Sequence, residues 1–140
     1  MTISPLDKVL VGIGSAMSIS FGIWHFFVPK EWKWYSYIDS GATELIVAVR
    51  VINALFSLSL VLFGLVNILL VYGNKPNLYS IIVILSATCI LWVTRVVFQI
   101  IHPQGSLYPG LQYGMLLAFV MVTLSYLLPL LRILFQKDLS

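Results

Sequence analysis

The stretch "ELIVAVRVINALFSLSLVLFGLVNILLVY", residues 44–72, is almost entirely apolar and contains no proline. A helix needs about 20 mostly apolar residues to cross the hydrocarbon core of a bilayer. Because the stretch is longer than that, it predicts a membrane-spanning helix that is tilted or projects beyond the hydrocarbon.

The composition of the whole chain indicates that lipid is its main solvent. Of 140 residues, 60% are hydrophobic and only 9% are charged, and the mean hydropathy is +1.00. These values leave too little polar surface to cover a water-soluble globule. We therefore predict an all-α integral membrane protein, a four-transmembrane-helix bundle formed by residues 1–140 as a single domain. The predicted spans are 9–28, 44–72, 78–101 and 111–135, and a segment rich in Trp, Tyr and charge, 30–43, is predicted to lie at the membrane interface.

Small residues mark one face of the first span. Gly14, Ser18 and Gly22 recur at every fourth position, a spacing that allows close approach of a second helix. His25 follows three residues after Gly22 and lies on nearly the same face, so it is expected to point into the bundle. Pro29 is expected to end the helix.

The distribution of charge predicts the orientation in the membrane. Four spans place both termini on one side. Loop and boundary cations on that side are Lys8, Lys75, Arg132 and Lys137, against Lys30 and Lys33 on the other. The positive-inside rule then places both termini in the cytoplasm. Counting the arginines within the second and third spans makes the two sides equal.

Polar residues within the spans concentrate in the non-cytoplasmic half. Arg95 lies seven residues before His102, about 10 Å at a rise of 1.5 Å per residue, and Arg50 lies at a comparable depth in the second span. Arg95, Gln99 and His102 follow helical spacing and form one polar stripe. Arg50 and Asn53 begin a similar stripe. We expect both stripes to meet His25 in a pocket between the first three spans.

The two arginines are the main candidates for ligand recognition in this pocket. Arginine within a span is unfavourable by about 2.5 to 3.5 kcal/mol and usually faces a partner or a wet cavity. One interpretation is structural: loop carboxylates and water neutralise the arginines, or their side chains extend to the interface. The other is a bound anionic or oxygen-rich amphiphile, such as a lipid headgroup or a quinone, because guanidinium groups suit carboxylate and phosphate. Glu44 is the carboxylate nearest to Arg50 in the sequence.

The two histidines allow a further alternative. His25 and His102 both fall near the non-cytoplasmic ends of their spans, where two neutral imidazoles facing each other would ligate a haem b iron from both sides. A metal site with two histidines lacks a third ligand.

Other functional classes find little support. The chain has no metalloprotease, nucleophile-elbow or P-loop motif, and no basic patch typical of nucleic-acid binding. None of the predicted spans has an acidic residue near its middle, where a proton-coupled transporter is expected to have one. A single cysteine, Cys89, excludes an intramolecular disulfide.

Two short motifs, "GIWHFFVP" (residues 22–29) and "SGATEL" (residues 40–45), resemble the DoxX-like group of small four-helix membrane proteins. The resemblance covers about a quarter of the chain. It implies a membrane fold and, for some members, association with quinone-linked redox enzymes. His25 and Glu44 are the motif positions that it marks, without assigned roles.

The sequence thus predicts a small membrane protein, more readily a binding protein than an enzyme. Its ligand would be an anionic or amphiphilic molecule held by Arg50, Arg95, Gln99, Asn53, His25, His102 and Glu44. The alternatives are a redox subunit that carries bis-histidine haem b or a quinone, and a structural or assembly subunit of a membrane complex. Expected partners are membrane lipids, with a homo-oligomer or a larger membrane complex also open.

Overall fold

The structure is a computed structural model that describes residues 3–74 and 77–138. Within these residues the chain is helical and no strand forms. The helices are α1 (Pro5–His25), α2 (Val28–Glu31), α3 (Thr43–Tyr72), α4 (Leu78–Ile101) and α5 (Leu111–Asp138), and a 3-10 turn covers Trp34–Tyr37. The predicted all-α fold is confirmed.

Four of these helices, α1, α3, α4 and α5, are long and apolar enough to cross a membrane. Many of their large apolar side chains are exposed on the outside of the bundle, including Ile52, Leu69, Ile90 and Leu117. Exposed apolar surface on this scale is unusual in a soluble protein. It suggests a multi-pass membrane protein.

The helix boundaries follow local capping chemistry. The hydroxyl oxygen of Ser4 accepts a hydrogen bond from the backbone N–H of Asp7 at 3.1 Å and starts α1, with Pro5 in its first turn. The predicted end of this helix at residue 28 is three residues too late, since α1 ends at His25. Pro29 does not simply stop it. It lies in the first turn of α2, where a proline needs no backbone donor.

The four long helices form a ring in which α1 packs against α3 and α5, and α4 packs against α5 and α3. The predicted small-residue face of α1 is buried in this ring. A Cβ atom added at Gly22 would lie 2.8 Å from the carbonyl oxygen of Ser57, closer than real Cβ contacts allow. On α3, a Cβ atom at Gly64 would lie 2.9 Å from the carbonyl oxygen of Ser15. Glycines on both helices therefore permit the close α1–α3 contact.

Hydrogen bonds between side chains join the helices across the core. The indole N–H of Trp92 on α4 donates to Ser18 on α1 at 3.0 Å, and the Tyr126 hydroxyl on α5 donates to Ser15 at 3.1 Å. On the other side of the ring, the amide of Asn67 donates to Thr88 at 2.8 Å. Such bonds stabilise helix association in lipid, where apolar side chains gain little by leaving the acyl tails.

An ion pair closes the bundle at the end where α1 begins. A guanidinium nitrogen of Arg132 on α5 lies 3.2 Å from the Asp7 carboxylate, and the Ser4 hydroxyl donates to the same carboxylate at 2.6 Å. Asp7 is only 1% exposed, whereas Arg132 is 41% exposed. Asp7 was not predicted to form an ion pair, because acidic residues are common in the first turn of a helix.

Candidate binding site

Two neighbouring cavities lie at the opposite end of the bundle, where α1 ends. The helix cavity, about 290 Å³, opens between α1, α3 and α4. The loop cavity, about 460 Å³, lies between the segment after α1 and the α4–α5 loop. The helix cavity is lined by His25, Trp34, Val49, Ile52, Asn53, Phe56, Arg95 and Gln104. The loop cavity is lined by residues 31–34, 37 and 103–108, so Trp34 and Gln104 border both.

His25 is buried at the end of α1, with one ring nitrogen beside a serine hydroxyl. The Ser57 hydroxyl donates to the carbonyl oxygen of Asn53 at 2.7 Å, so its oxygen is left as an acceptor. The Nδ1 atom of His25 lies 3.4 Å from that oxygen. A neutral ring protonated at Nδ1 would donate to that oxygen and would leave Nε2 as an acceptor. Phe56 packs edge-on against the ring, with centroids 4.9 Å apart.

Asn53 is one of the polar residues that line the helix cavity. Its amide nitrogen donates to the carbonyl oxygen of His25 at 3.2 Å, and this contact fixes which way the amide points. The other amide atom, Oδ1, is buried and has no hydrogen-bond partner within the described residues. A buried polar atom without a partner needs a physical explanation, such as a ligand or an ordered water.

Arg95 lines the same cavity from α4. One terminal nitrogen donates to the side-chain oxygen of Gln104 at 2.6 Å, and the guanidinium carbon lies 4.5 Å from the ring centroid of Phe119, a cation–π distance. Its Nε atom is buried without a partner in the part of the chain that the structure describes. The ion pair found among those residues joins Asp7 and Arg132, so Arg95 is not neutralised by a carboxylate there.

Arg50 does not join Arg95 in the cavity, contrary to the predicted arrangement. Its side chain is exposed on α3 and lies over the ring of Tyr35, with the guanidinium carbon 5.5 Å from the ring centroid. Asn53, three residues further on, faces α1 instead. Glu44 is also exposed, in the first turn of α3, and lines neither cavity. The two arginines have a similar predicted depth, but their side chains do not share a cavity.

Gln99 and His102 also lie outside the helix cavity. Gln99 is buried, and its amide nitrogen donates to the carbonyl oxygens of Gln104 at 2.9 Å and Gln112 at 3.4 Å. It thus holds the α4–α5 loop against the bundle. His102 is exposed at the end of α4, and its ring stacks on Phe98 with centroids 6.4 Å apart.

The structure consequently gives no support to a haem held by two axial histidines. His25 is buried and lines the helix cavity, whereas His102 lines neither cavity. Within the described residues, no cluster of three or more His, Cys, Asp or Glu side chains forms a metal site. Of the residues predicted for ligand binding, three line the helix cavity together: His25, Asn53 and Arg95.

The loop cavity was missed by sequence reasoning. Its walls come from "EWKWYSY" (residues 31–37), part of the segment predicted to lie at the membrane interface, and from "HPQGSLYPG" (residues 102–110), which joins the last two predicted spans. Left-handed backbone shapes both walls: Lys33 has φ 51°, and Gly105 has φ 85°. Such conformations are uncommon outside glycine and cluster at ligand clamps and switch regions. The feature of the sequence that could have indicated this cavity is the presence of aromatic residues in both segments.

Comparison with protein-family models, with curated proteins and with solved structures gives no match. The resemblance of residues 22–29 and 40–45 to the DoxX-like group therefore stays a prediction.

Proposed function

We propose that this protein binds an amphiphile in the helix cavity, with the polar head near Arg95 and Asn53 and the apolar body toward lipid. The observation that carries the proposal is a pair of buried, unpartnered atoms of opposite character: the Nε donor of Arg95 and the Oδ1 acceptor of Asn53. Both residues line one cavity. A ligand that satisfies both atoms removes two desolvation penalties of about 1 to 3 kcal/mol each.

The two atoms select the chemistry of the head. A head that both accepts and donates, such as a hydroxyl group, matches the Arg95 donor and the Asn53 acceptor in character, whereas a phosphate would place only acceptors beside the Asn53 oxygen. In a His25 ring protonated at Nδ1, the Nε2 acceptor offers a second position for a hydroxyl proton. We infer a neutral, hydroxyl-bearing head, such as a quinol, in preference to the anionic group that the sequence suggested from two arginines.

The apolar body is accommodated on the α3 side of the cavity. Val49, Ile52 and Phe56 supply most of this wall. Ile52 is 66% exposed and therefore borders both the cavity and the outer surface of the bundle. If that surface meets lipid, an amphiphile reaches the cavity sideways from the bilayer, without crossing the aqueous phase.

A titration in lipid nanodiscs tests the proposal. The probe is a dodecyl-substituted hydroquinone, and its binding is followed by quenching of tryptophan fluorescence, since Trp34 lines the cavity. We expect saturable quenching by the wild type and at least tenfold weaker binding after Arg95→Gln or Asn53→Leu. The dimethyl ether of the probe, which accepts but cannot donate, is expected to bind about tenfold more weakly than the hydroquinone.

Arg50→Gln is the matched control, because it removes an arginine of similar predicted depth that the structure places outside both cavities. Binding by this variant is expected to equal that of the wild type. Equal losses in the Arg50 and Arg95 variants, or equal binding of hydroquinone and ether, would refute the proposed site. Gel filtration and circular dichroism of each variant separate lost binding from lost fold.

We also propose that both termini are cytoplasmic and both cavities lie on the non-cytoplasmic side. The excess of Lys and Arg at the termini side supports this orientation through the positive-inside rule. The ion pair of Asp7 with Arg132 then lies at the cytoplasmic end.

A further inference from the structure

The loop cavity has a lining of a different kind from the helix cavity. Four of its eleven lining residues are aromatic and come from both walls: Trp32, Trp34, Tyr37 and Tyr108. One carboxylate, Glu31, and one ammonium group, Lys33, complete the charged lining. The faces of Trp and Tyr rings carry negative electrostatic potential and attract organic cations, above all quaternary ammonium groups.

We propose that the loop cavity binds the headgroup of a zwitterionic phospholipid, with its ammonium group among the aromatic rings and near Glu31, and its phosphate near Lys33. The loop cavity shares Trp34 and Gln104 with the helix cavity, but this proposal does not depend on the function proposed for the helix cavity. Glu31 has no ion-pair partner within the described residues and is available to a cation. A bare cation would be repelled by Lys33, whereas a zwitterion uses both charges.

The location of the cavity favours a lipid over a solute from water. The lining residues on one wall belong to the short segment between α1 and α3, which joins two helices long enough to cross a membrane. Segments of this kind, rich in Trp and Tyr, lie at the level of lipid headgroups. A headgroup in the adjacent leaflet is therefore already at the depth of the cavity.

The walls of the cavity are held in place before a ligand binds. On one wall, the backbone carbonyl of Lys33 accepts a hydrogen bond from the Ser36 hydroxyl at 2.7 Å. On the other, Gln99 donates to the carbonyl oxygen of Gln104 at 2.9 Å, and Arg95 donates to its side chain at 2.6 Å. Preorganised walls lower the conformational entropy that a ligand must overcome on binding.

Calorimetric titration with glycerophosphocholine, the water-soluble headgroup of phosphatidylcholine, tests the proposal. In nanodiscs of phosphatidylglycerol, which lacks an ammonium group, we expect saturable binding. Glycerophosphoglycerol is the control ligand and is expected to bind at least fivefold more weakly. In nanodiscs of phosphatidylcholine the binding of added glycerophosphocholine is expected to disappear, because lipid already fills the cavity.

Two outcomes of this titration would overturn the proposal. Equal binding of the two glycerophosphodiesters would exclude recognition of the ammonium group. Equal binding of glycerophosphocholine in both kinds of nanodisc would assign the cavity to a ligand from water and not to a lipid.

Variants assign the contacts within the cavity. Glu31→Gln is expected to weaken glycerophosphocholine binding about three- to fivefold, the range of a solvent-exposed charge contact. Glu44→Gln, an exposed carboxylate outside both cavities, should have no effect. Tyr37→Leu is expected to weaken binding about threefold, against no change for Tyr79→Leu, an exposed tyrosine at the other end of α4. If neither Glu31 nor Tyr37 matters more than its control, the aromatic cavity is not the binding site.

Lys33→Gln tests the phosphate contact separately. This variant is expected to weaken glycerophosphocholine binding about threefold and to leave free choline unaffected or bound more tightly. Tighter binding of glycerophosphocholine by the variant would show that Lys33 only repels the ammonium group. Quenching by the hydroquinone is measured in the same variants and reports whether the helix cavity still binds its ligand. Failure of one site is therefore distinguishable from failure of the other.

Discussion

Single glycines determine how closely α1 approaches α3. A Cβ atom at Gly22 would meet the backbone carbonyl of Ser57 at 2.8 Å and a methyl carbon of Val61 at 2.9 Å, and backbone atoms cannot rotate away. We expect Gly22→Ala to destabilise the protein by about 1 to 3 kcal/mol, as overpacked cores do. The measurement is the midpoint of unfolding in SDS, followed by tryptophan fluorescence.

Gly114→Ala is the matched control for that substitution. Nothing lies within 4 Å of a Cβ atom at this position on α5. Alanine is the better helix former by up to about 1 kcal/mol, so the variant should be unchanged or slightly more stable. Equal destabilisation by both alanines would mean that the α1–α3 contact is looser than described.

The ion pair at the start of α1 makes an asymmetric prediction. Asp7 is buried and Arg132 is partly exposed, so removing the arginine leaves a buried charge uncompensated, whereas removing the carboxylate leaves a guanidinium that reaches water. Breaking a fully buried ion pair destabilises by about 3 to 5 kcal/mol. Because Arg132 is partly exposed, we expect a smaller loss of stability for Arg132→Gln, about 2 kcal/mol. Asp7→Asn in that background should recover most of the loss in the same SDS assay. No recovery would show that the buried charge is not the cause.

At the scale of the elements, Gln99 connects α4, α5 and the loop between them. It bonds the backbone of Gln104 and of Gln112, and Gln104 lines both cavities. Gln99→Leu keeps the volume of the buried side chain but leaves those carbonyl groups without their donor. We expect faster hydrogen exchange in residues 102–110 by mass spectrometry and weaker binding in both cavities, with the exchange of α1 unchanged. Unchanged exchange in the loop would contradict this role.

The elements were largely predictable from the sequence, and the placement of their polar side chains was not. Apolar runs of sufficient length predict four long helices, and the small-residue spacing of Gly14, Ser18 and Gly22 predicts the packed face. The sequence places Arg50 and Arg95 at one depth, but it does not state which face of α3 meets α1. In the structure, Asn53 lies on the face of α3 that contacts α1, and Arg50 lies outside that face.

The cavities were predictable only in part, for a related reason. Residues on regular helices can be placed by periodicity, and three residues of the helix cavity were identified in this way. The loop cavity depends on how two irregular segments approach each other, through left-handed residues such as Lys33 and through side-chain bonds such as Arg95 to Gln104. The two segments are far apart in the sequence, and their approach carries no periodic signal.

At the scale of the whole molecule, polar groups are distributed unevenly along the bundle. An ion pair joins α1 and α5 at the end where α1 begins, and isolated hydrogen bonds cross the middle. The buried atoms without partners at the end where α1 finishes are those of Asn53 and Arg95. The two proposed binding cavities thus lie at the end of the bundle opposite to the ion pair. The orientation of the bundle therefore decides which side of the membrane has access to the cavities.

Cysteine labelling determines that orientation. In a Cys89→Ser background, which removes the buried native thiol, Ser106→Cys places a thiol in the exposed α4–α5 loop, and Asn74→Cys places one in the exposed turn after α3. Because α4 separates the two positions, they lie on opposite sides if it spans the membrane. With cytoplasmic termini, a membrane-impermeant maleimide should label position 106 in intact cells and position 74 only after permeabilisation. The reverse pattern would invert the orientation while preserving the fold, and labelling of both positions from one side would contradict the four-span bundle itself.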